Sequence, residues 1–266
     1  MAEPLDGLQG DVDELLDELI AASGALRQAI RRADLSLERR VALAGDSSSL
    51  GLLAEKGVGL TAAERMAVAL RATPTGRAGT AIYAPGLDSG QRCQLAESLG
   101  EEDRGDVALQ APDLSVDQRI RLVRGSTPSM RGALALSEYP LDPTQRFDLL
   151  MASTPEDRAQ GVADPQFSAS QRLAMARKVG PKQRRELAAS CALFTAEERV
   201  DLFMTLDPDT RGWGAWFVAD LGDDLRTRLA LAAPVAWRQR VVERYPRLAR
   251  RFEPRRRART GGGARR

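Results

Sequence analysis

The sequence predicts an all-α fold: a right-handed superhelical solenoid of short helix pairs, with a 27-residue repeat and about seven to eight units. Three observations predict it. Arginine recurs at Arg65, Arg92, Arg119, Arg146, Arg172, Arg199 and Arg226, at intervals of 27, 27, 27, 26, 27 and 27 residues. A second row, Arg77, Arg104, Arg131, Arg158, Arg184, Arg211 and Arg238, follows twelve residues behind the first. Helix-start residues stand at fixed offsets before both rows. A fixed period in the range of about 20–50 residues marks arrays in which each unit packs on its neighbours.

The elements follow in chain order. Residues 1–34 read as an N-terminal capping helix. Val12, Leu15, Leu16, Leu19 and Ile20 recur at helical spacing, with acids at its start and arginines at its end, in the sense that suits the helix dipole. The array itself is expected over 35–245. Leu35-Ser36 with Arg39 and Arg40 is a degenerate first unit.

The first helix of each later unit opens with a capping box. Thr61, Asp88, Ser115, Asp142, Ser168 and Thr195 each precede a Glu or Gln by three residues. The cap oxygen accepts from an unpaired first-turn N–H, and the Glu or Gln reaches back to the cap's own N–H. Leu60, Leu87, Leu114, Leu141, Phe167, Phe194 and Leu221 stand just before the first helices as staple residues. Apolar residues follow each arginine at helical spacing, as in Ile120, Leu122 and Val123.

The second helices open differently. Thr73-Pro74, Thr127-Pro128, Thr154-Pro155, Gly180-Pro181 and Asp207-Pro208 place proline at the first helical position, where a missing N–H costs nothing. Gly100-Glu101 fills the slot without proline. Isolated helices this short are marginal in water, so they must stack to persist. The last unit runs from Leu221 to about Tyr245. Residues 246–266 are expected to be a basic, disordered tail.

Composition narrows the chemistry. The chain has no histidine, which removes the commonest general base and metal ligand. No phosphate-binding glycine loop is present. The Ser, Thr, Asp and Glu that suggest nucleophiles fall mostly at cap positions. Cys93 occupies a core slot, and two cysteines make no disulfide framework. No catalytic residue, metal site or cofactor is therefore expected. Neither a transmembrane run nor a secretory signal is read, which points to the cytoplasm.

The net charge of +2 hides an asymmetry. From Arg247 onward nine Arg face one acid, so this end carries +8 and the rest −6. Arg250, Arg251, Arg255, Arg256, Arg257 and Arg259 are candidate contacts for nucleic acid or an anionic surface. A solvated end is the other reading. For the first-row arginines, a structural role at helix junctions is expected, and a ladder for a polyanion is the alternative. Trp213, Trp216 and Trp237 are candidate partner-binding residues, or bulky plugs of the last units.

The pattern Leu-Ser/Thr-x-x-Glu/Gln-Arg, carried most clearly by Leu193-Phe194-Thr195-Ala196-Glu197-Glu198-Arg199-Val200-Asp201-Leu202, resembles the superhelical cytoplasmic domain of bacterial magnesium transporters. It also looks like the related helical arrays of flagellar motor switch proteins. The resemblance implies an all-helical superhelix and a docking role, and no metal-binding residue is carried over. Alanine- and arginine-rich usage suggests a bacterial source. The function expected is a non-catalytic scaffold binding a protein partner, with nucleic-acid association through the tail, with or without the arginine rows, as the alternative.

Overall fold

The computed structural model describes residues 23–252. The described residues form helices joined by short turns, with no strand among them. They divide into two compact units, Met1–Ser153 and Thr154–Arg266, where the sequence reading drew a single array over 35–245. In the first row the slip of the arginine spacing from 27 to 26 residues, between Arg146 and Arg172, spans this division, and in the second row it follows the division, between Arg158 and Arg184. The expected capping helix of residues 1–34 lies largely outside the described residues.

In the first unit, residues 23–31 are helical (α1). There follow α2 (Leu37–Ala44), α3 (Ser47–Lys56), α4 (Ala62–Ala69), α5 (Pro74–Tyr83), α6 (Ser89–Glu97), α7 (Glu101–Gln110), α8 (Val116–Arg124), α9 (Pro128–Ala135) and α10 (Pro143–Met151). The second unit comprises α11 (Pro155–Gly161), α12 (Ala169–Arg177), α13 (Pro181–Ser190), α14 (Ala196–Met204), α15 (Pro208–Phe217), α16 (Asp223–Leu231) and α17 (Val235–Arg244). A 3-10 turn at Pro246–Leu248 and a last short helix, α18 (Ala249–Phe252), follow.

The helix starts are where the caps put them. Thr61, Asp88, Ser115, Asp142, Ser168 and Thr195 are N-caps, and each closes a reciprocal capping box with Glu64, Gln91, Gln118, Gln145, Gln171 or Glu198. Pro74, Pro128, Pro155, Pro181 and Pro208 occupy the first turn of their helices. α7 starts at Gly100 with no side-chain cap. Glu101, Glu102 and Asp103 fill its first turn and complement the helix dipole instead.

The staple residues Leu87, Leu114, Leu141, Phe167, Phe194 and Leu221 are buried. The second helices of the pairs stack closely through small residues. A β-carbon on Gly51 of α3 would lie 2.5 Å from Cα of Gly76 on α5, so these helices touch backbone to backbone. At two other contacts a side chain fills the space over the glycine: Met130 of α9 sits over Gly105 of α7, and Trp237 of α17 sits over Gly212 of α15.

The tail boundary is corrected. Residues 246–252 are helical, and Leu248 is fully buried. Leu248 lies 27 residues beyond Leu221, so it continues the staple series one step further than the sequence reading followed it. Residues 253–266 lie outside the described residues.

Candidate functional site

The first-row arginines point inward and backward. Arg92 donates from Nη1 to the carbonyl of Ala81 (2.5 Å) and from Nη2 to that of Ala84 (2.9 Å). Arg65 uses Ala54 (2.6 Å) and Gly57 (2.7 Å), and Arg119 uses Ala108 (2.5 Å) and Ala111 (2.7 Å). Arg226 repeats the pair with Ala215 (2.5 Å) and Val218 (2.8 Å), and adds Ala219 and Leu221. The acceptors lie 11 and 8 residues earlier, at the C-terminal end of the preceding helix. The carbonyls there have no intrahelical donor and carry the negative end of the dipole. A forked cation with five donors satisfies several at once. The position is poor by the dipole of the arginine's own helix, and the neighbouring helix end compensates it.

Arg65, Arg92, Arg119, Arg199 and Arg226 are buried, which removes them as an exposed anion-binding ladder. Burial pulls the pKa of Arg65, Arg92 and Arg226 below the ordinary arginine value. Two rings lie over buried guanidiniums: Tyr139 at 4.1 Å from Arg119, and Tyr245 at 3.9 Å from Arg226. Sequence periodicity gave no sign of these rings.

Three members of the row deviate. Arg146 is half-buried, with one bond at 2.9 Å to Ala135 and two long ones at 3.4 Å to Ser137 and Tyr139. Arg172 donates to the carbonyl of Phe167. Arg199 keeps Cys191 (3.0 Å) and turns Nη1 to Asp220 at 2.9 and 3.0 Å. Conversely, Arg40 belongs to the row. It is buried and donates to Ala29 (2.6 Å), Ile30 and Val58. Its cap, Ser36, stands four residues before it as in the later units, and its spacing of 25 to Arg65, two short of the period, is what makes the first unit degenerate in the sequence.

The second row reaches the other way. Arg104 donates to Gly125 and Leu99, and Arg131 to Ala152 and Ser126. Arg184 donates to the Thr205 hydroxyl and Val179, and Arg211 to Ala232 and Leu206. One acceptor lies 21 residues ahead, at the end of the next first helix. The other lies 5 residues behind, in the arginine's own turn. Together the rows tie each helix pair to its predecessor and its successor within a unit.

The tryptophans gather in the second unit. Trp213 stacks on Phe217 (4.6 Å, 13° between planes), and Phe217 also meets Trp216 (6.5 Å). Guanidiniums lie over the indoles: Arg185 of α13 over Trp213 (5.4 Å), Arg244 over Trp216 (4.8 Å) and Arg240 over Trp237 (4.8 Å). The Trp237 indole N–H donates to Asp209 (2.9 Å). Trp216, Trp237, Arg240, Glu243 and Arg244 line a pocket of about 500 Å³. The face is thus preformed. Its rings are half-buried, its arginines are exposed, and Trp237 is anchored in the hollow over Gly212.

Of the candidate polyanion contacts, Arg251 is paired with Asp224, next to an Arg247–Asp223 pair at 2.9 Å. Arg250 is exposed. Arg255, Arg256, Arg257 and Arg259 lie outside the described residues. The net positive charge of the second unit comes almost wholly from the residues after Pro246, which carry +8. Thr154–Arg266 holds 23 basic and 14 acidic side chains, a net of +9, against 16 and 23 for Met1–Ser153, a net of −7.

Cys93 is buried, and burial pushes its thiol pKa up, away from the reactive thiolate. Among the described residues no acid and cysteine cluster has the makings of a metal site, and no helix is long and apolar enough to cross a membrane. Compared with protein-family models, curated proteins and solved structures, the chain shows no match.

Proposed function

We propose that this protein is a non-catalytic, cytoplasmic scaffold whose helix pairs form a right-handed superhelical solenoid of 27-residue units and whose surface docks a protein partner. The observation that carries the reading is the destination of the arginines. Both rows donate to backbone carbonyls at helix ends, so the most regular chemistry of the sequence holds helices together rather than acting on a substrate. The docking role implied by the resemblance to transporter and motor-switch arrays agrees with it. Indoles and guanidiniums, the side chains that dominate binding hot spots, meet on one preformed face. A second reading, association with nucleic acid, is favoured by the charge split of −7 against +9 between the two units.

Affinity capture from the native host, with and without nuclease, tests the choice. A protein recovered in both conditions supports the scaffold. A capture that disappears with nuclease supports the second reading.

A further inference from the structure

We propose that the face built from Trp216 of α15 with Trp237, Arg240 and Arg244 of α17 binds single-stranded nucleic acid, bases stacking against the indoles and phosphates pairing with the guanidiniums. This deepens the second functional reading and leaves the scaffold reading to its own tests.

Four observations carry it. All three tryptophans of the chain lie on two helices, α15 and α17, of one unit. A cation has been placed at each of them: Arg185 at Trp213, Arg244 at Trp216, Arg240 at Trp237. Stacking rings interleaved with cations are what a single strand needs, since every base has a π-face and every link a phosphate. Secondly, these cations lie over the rings but hold no ion pair among the described residues. Arg247 and Arg251 are paired with Asp223 and Asp224, whereas among the described residues no carboxylate lies within ion-pair distance of Arg185, Arg240 or Arg244. Thirdly, the pocket of about 500 Å³ between Trp216 and Trp237 is of the size that takes a small flat ring system. Fourthly, residues 154–252 of the unit bearing the face carry 17 basic and 13 acidic side chains, a net of +4, and the arginine-rich residues after Phe252 bring the unit to +9.

Two carboxylates stand nearby. Asp209 accepts from the Trp237 indole and fixes its plane, and Glu243 lines the pocket. The face offers few groups for reading base edges, so binding is expected to be tolerant of sequence and steep in salt.

The test is titration of the full chain with a fluorescein-labelled oligothymidylate of about fifteen nucleotides, at low and moderate salt, following the label and the tryptophan emission together. Two of the three indoles of the chain line the pocket, and the third, Trp213, lies on the same helix as Trp216, so quenching reports this region. The double variant Arg240→Glu, Arg244→Glu changes two exposed side chains and should keep the wild-type melting curve. It is expected to bind roughly tenfold more weakly or worse and to lose the quenching. A 1–252 chain, which keeps every described helix, should retain the quenching.

Three outcomes would overturn the proposal. One is wild-type affinity in the charge-reversed variant. Another is loss of binding in the 1–252 chain alone, which would place the contact in residues 253–266. The third is tighter binding and stronger quenching by polyglutamate than by the oligonucleotide, which would make the occupant an acidic protein. Each leaves untouched the scaffold reading, which stands or falls on the arginine variants and the capture experiment.

Discussion

The ring of Tyr245 covers the guanidinium of Arg226 at 3.9 Å, closing the most deeply buried arginine among the described residues against solvent. Arg226 is fully buried and donates to four carbonyls, while Tyr245 comes from the end of α17 and makes the far wall. A buried charge is tolerable only when its hydrogen bonds are made and its remaining surface faces something polarisable. Arg226→Ala therefore strips donors from several carbonyls at once and should cost about 3 kcal/mol or more. Tyr245→Leu keeps the bulk and loses the ring quadrupole, for a smaller loss of about 1 kcal/mol. Urea unfolding of both variants checks the order, and a Tyr245→Leu loss equal to that of Arg226→Ala would contradict it.

The same logic grades the row. Arg119 is buried with close bonds under Tyr139, whereas Arg146 is half-buried with two of its three bonds at 3.4 Å. Arg119→Ala should destabilise by roughly 1–3 kcal/mol and Arg146→Ala by less. Wild-type melting in both, accompanied by weaker binding to a polyanion, would return the row to a surface role.

The capping boxes and proline starts were legible in the sequence because they are local. Donor and acceptor lie within one turn, so the residue types at a fixed offset specify the bond. The arginines' partners were not legible. Their acceptors lie 5–21 residues away and exist only because a neighbouring helix ends there. Arg40 is legible only as part of a degenerate first unit, because its spacing differs by two residues. Tyr139 and Tyr245 escaped because aromatic lids obey no period. The cluster of Trp213, Trp216 and Trp237 was half legible. Their clustering stood in the sequence, but the guanidiniums over them come from α13 and α17, and only packing brings those helices together.

Helix stacking supplies a third prediction. Gly51 lies against Gly76 backbone to backbone, so an added methyl has no flexible neighbour to push aside. Alanine is about 1 kcal/mol better than glycine in a helix, yet Gly51→Ala should destabilise, because overpacking costs about 1–3 kcal/mol. A raised melting temperature would show that the α3–α5 contact yields.

Acid should loosen the end of the second unit. Asp223 is held below the usual carboxylate range by its bond to Arg247 and by the charges of Arg247 and Arg251. A depressed folded pKa adds stability that is complete above the unfolded value of about 3.9 and is lost as pH falls through the folded value. Asp223→Asn should therefore lower stability at neutral pH and flatten the loss below about pH 4. The difference should shrink in high salt because the pair is exposed. Parallel acid profiles for wild type and variant would rule the pair out as a contributor.

The end of the fold can be located by two truncations. The sequence reading placed the boundary at 246, so that removing residues 247–266 would leave the helices unaffected. The structure carries the helices on through Phe252, the last of the described residues. Leu248 is fully buried, Arg247 pairs with Asp223 and Arg251 with Asp224, all within the second unit. A chain ending at 246 loses the leucine, whose burial is worth about 1.5–3 kcal/mol, and uncovers the apolar surface beneath it. It also leaves two aspartates at the start of α16 without their arginines, a smaller loss at so exposed a place. A chain ending at 252 loses none of these contacts. Thermal melts followed by circular dichroism should therefore show the 1–252 chain melting with the full-length protein and the 1–246 chain melting several degrees lower, the shift belonging to the second unit. Coincident melts for all three chains would mean that the turn at Pro246–Leu248 contributes nothing, and would restore the earlier boundary.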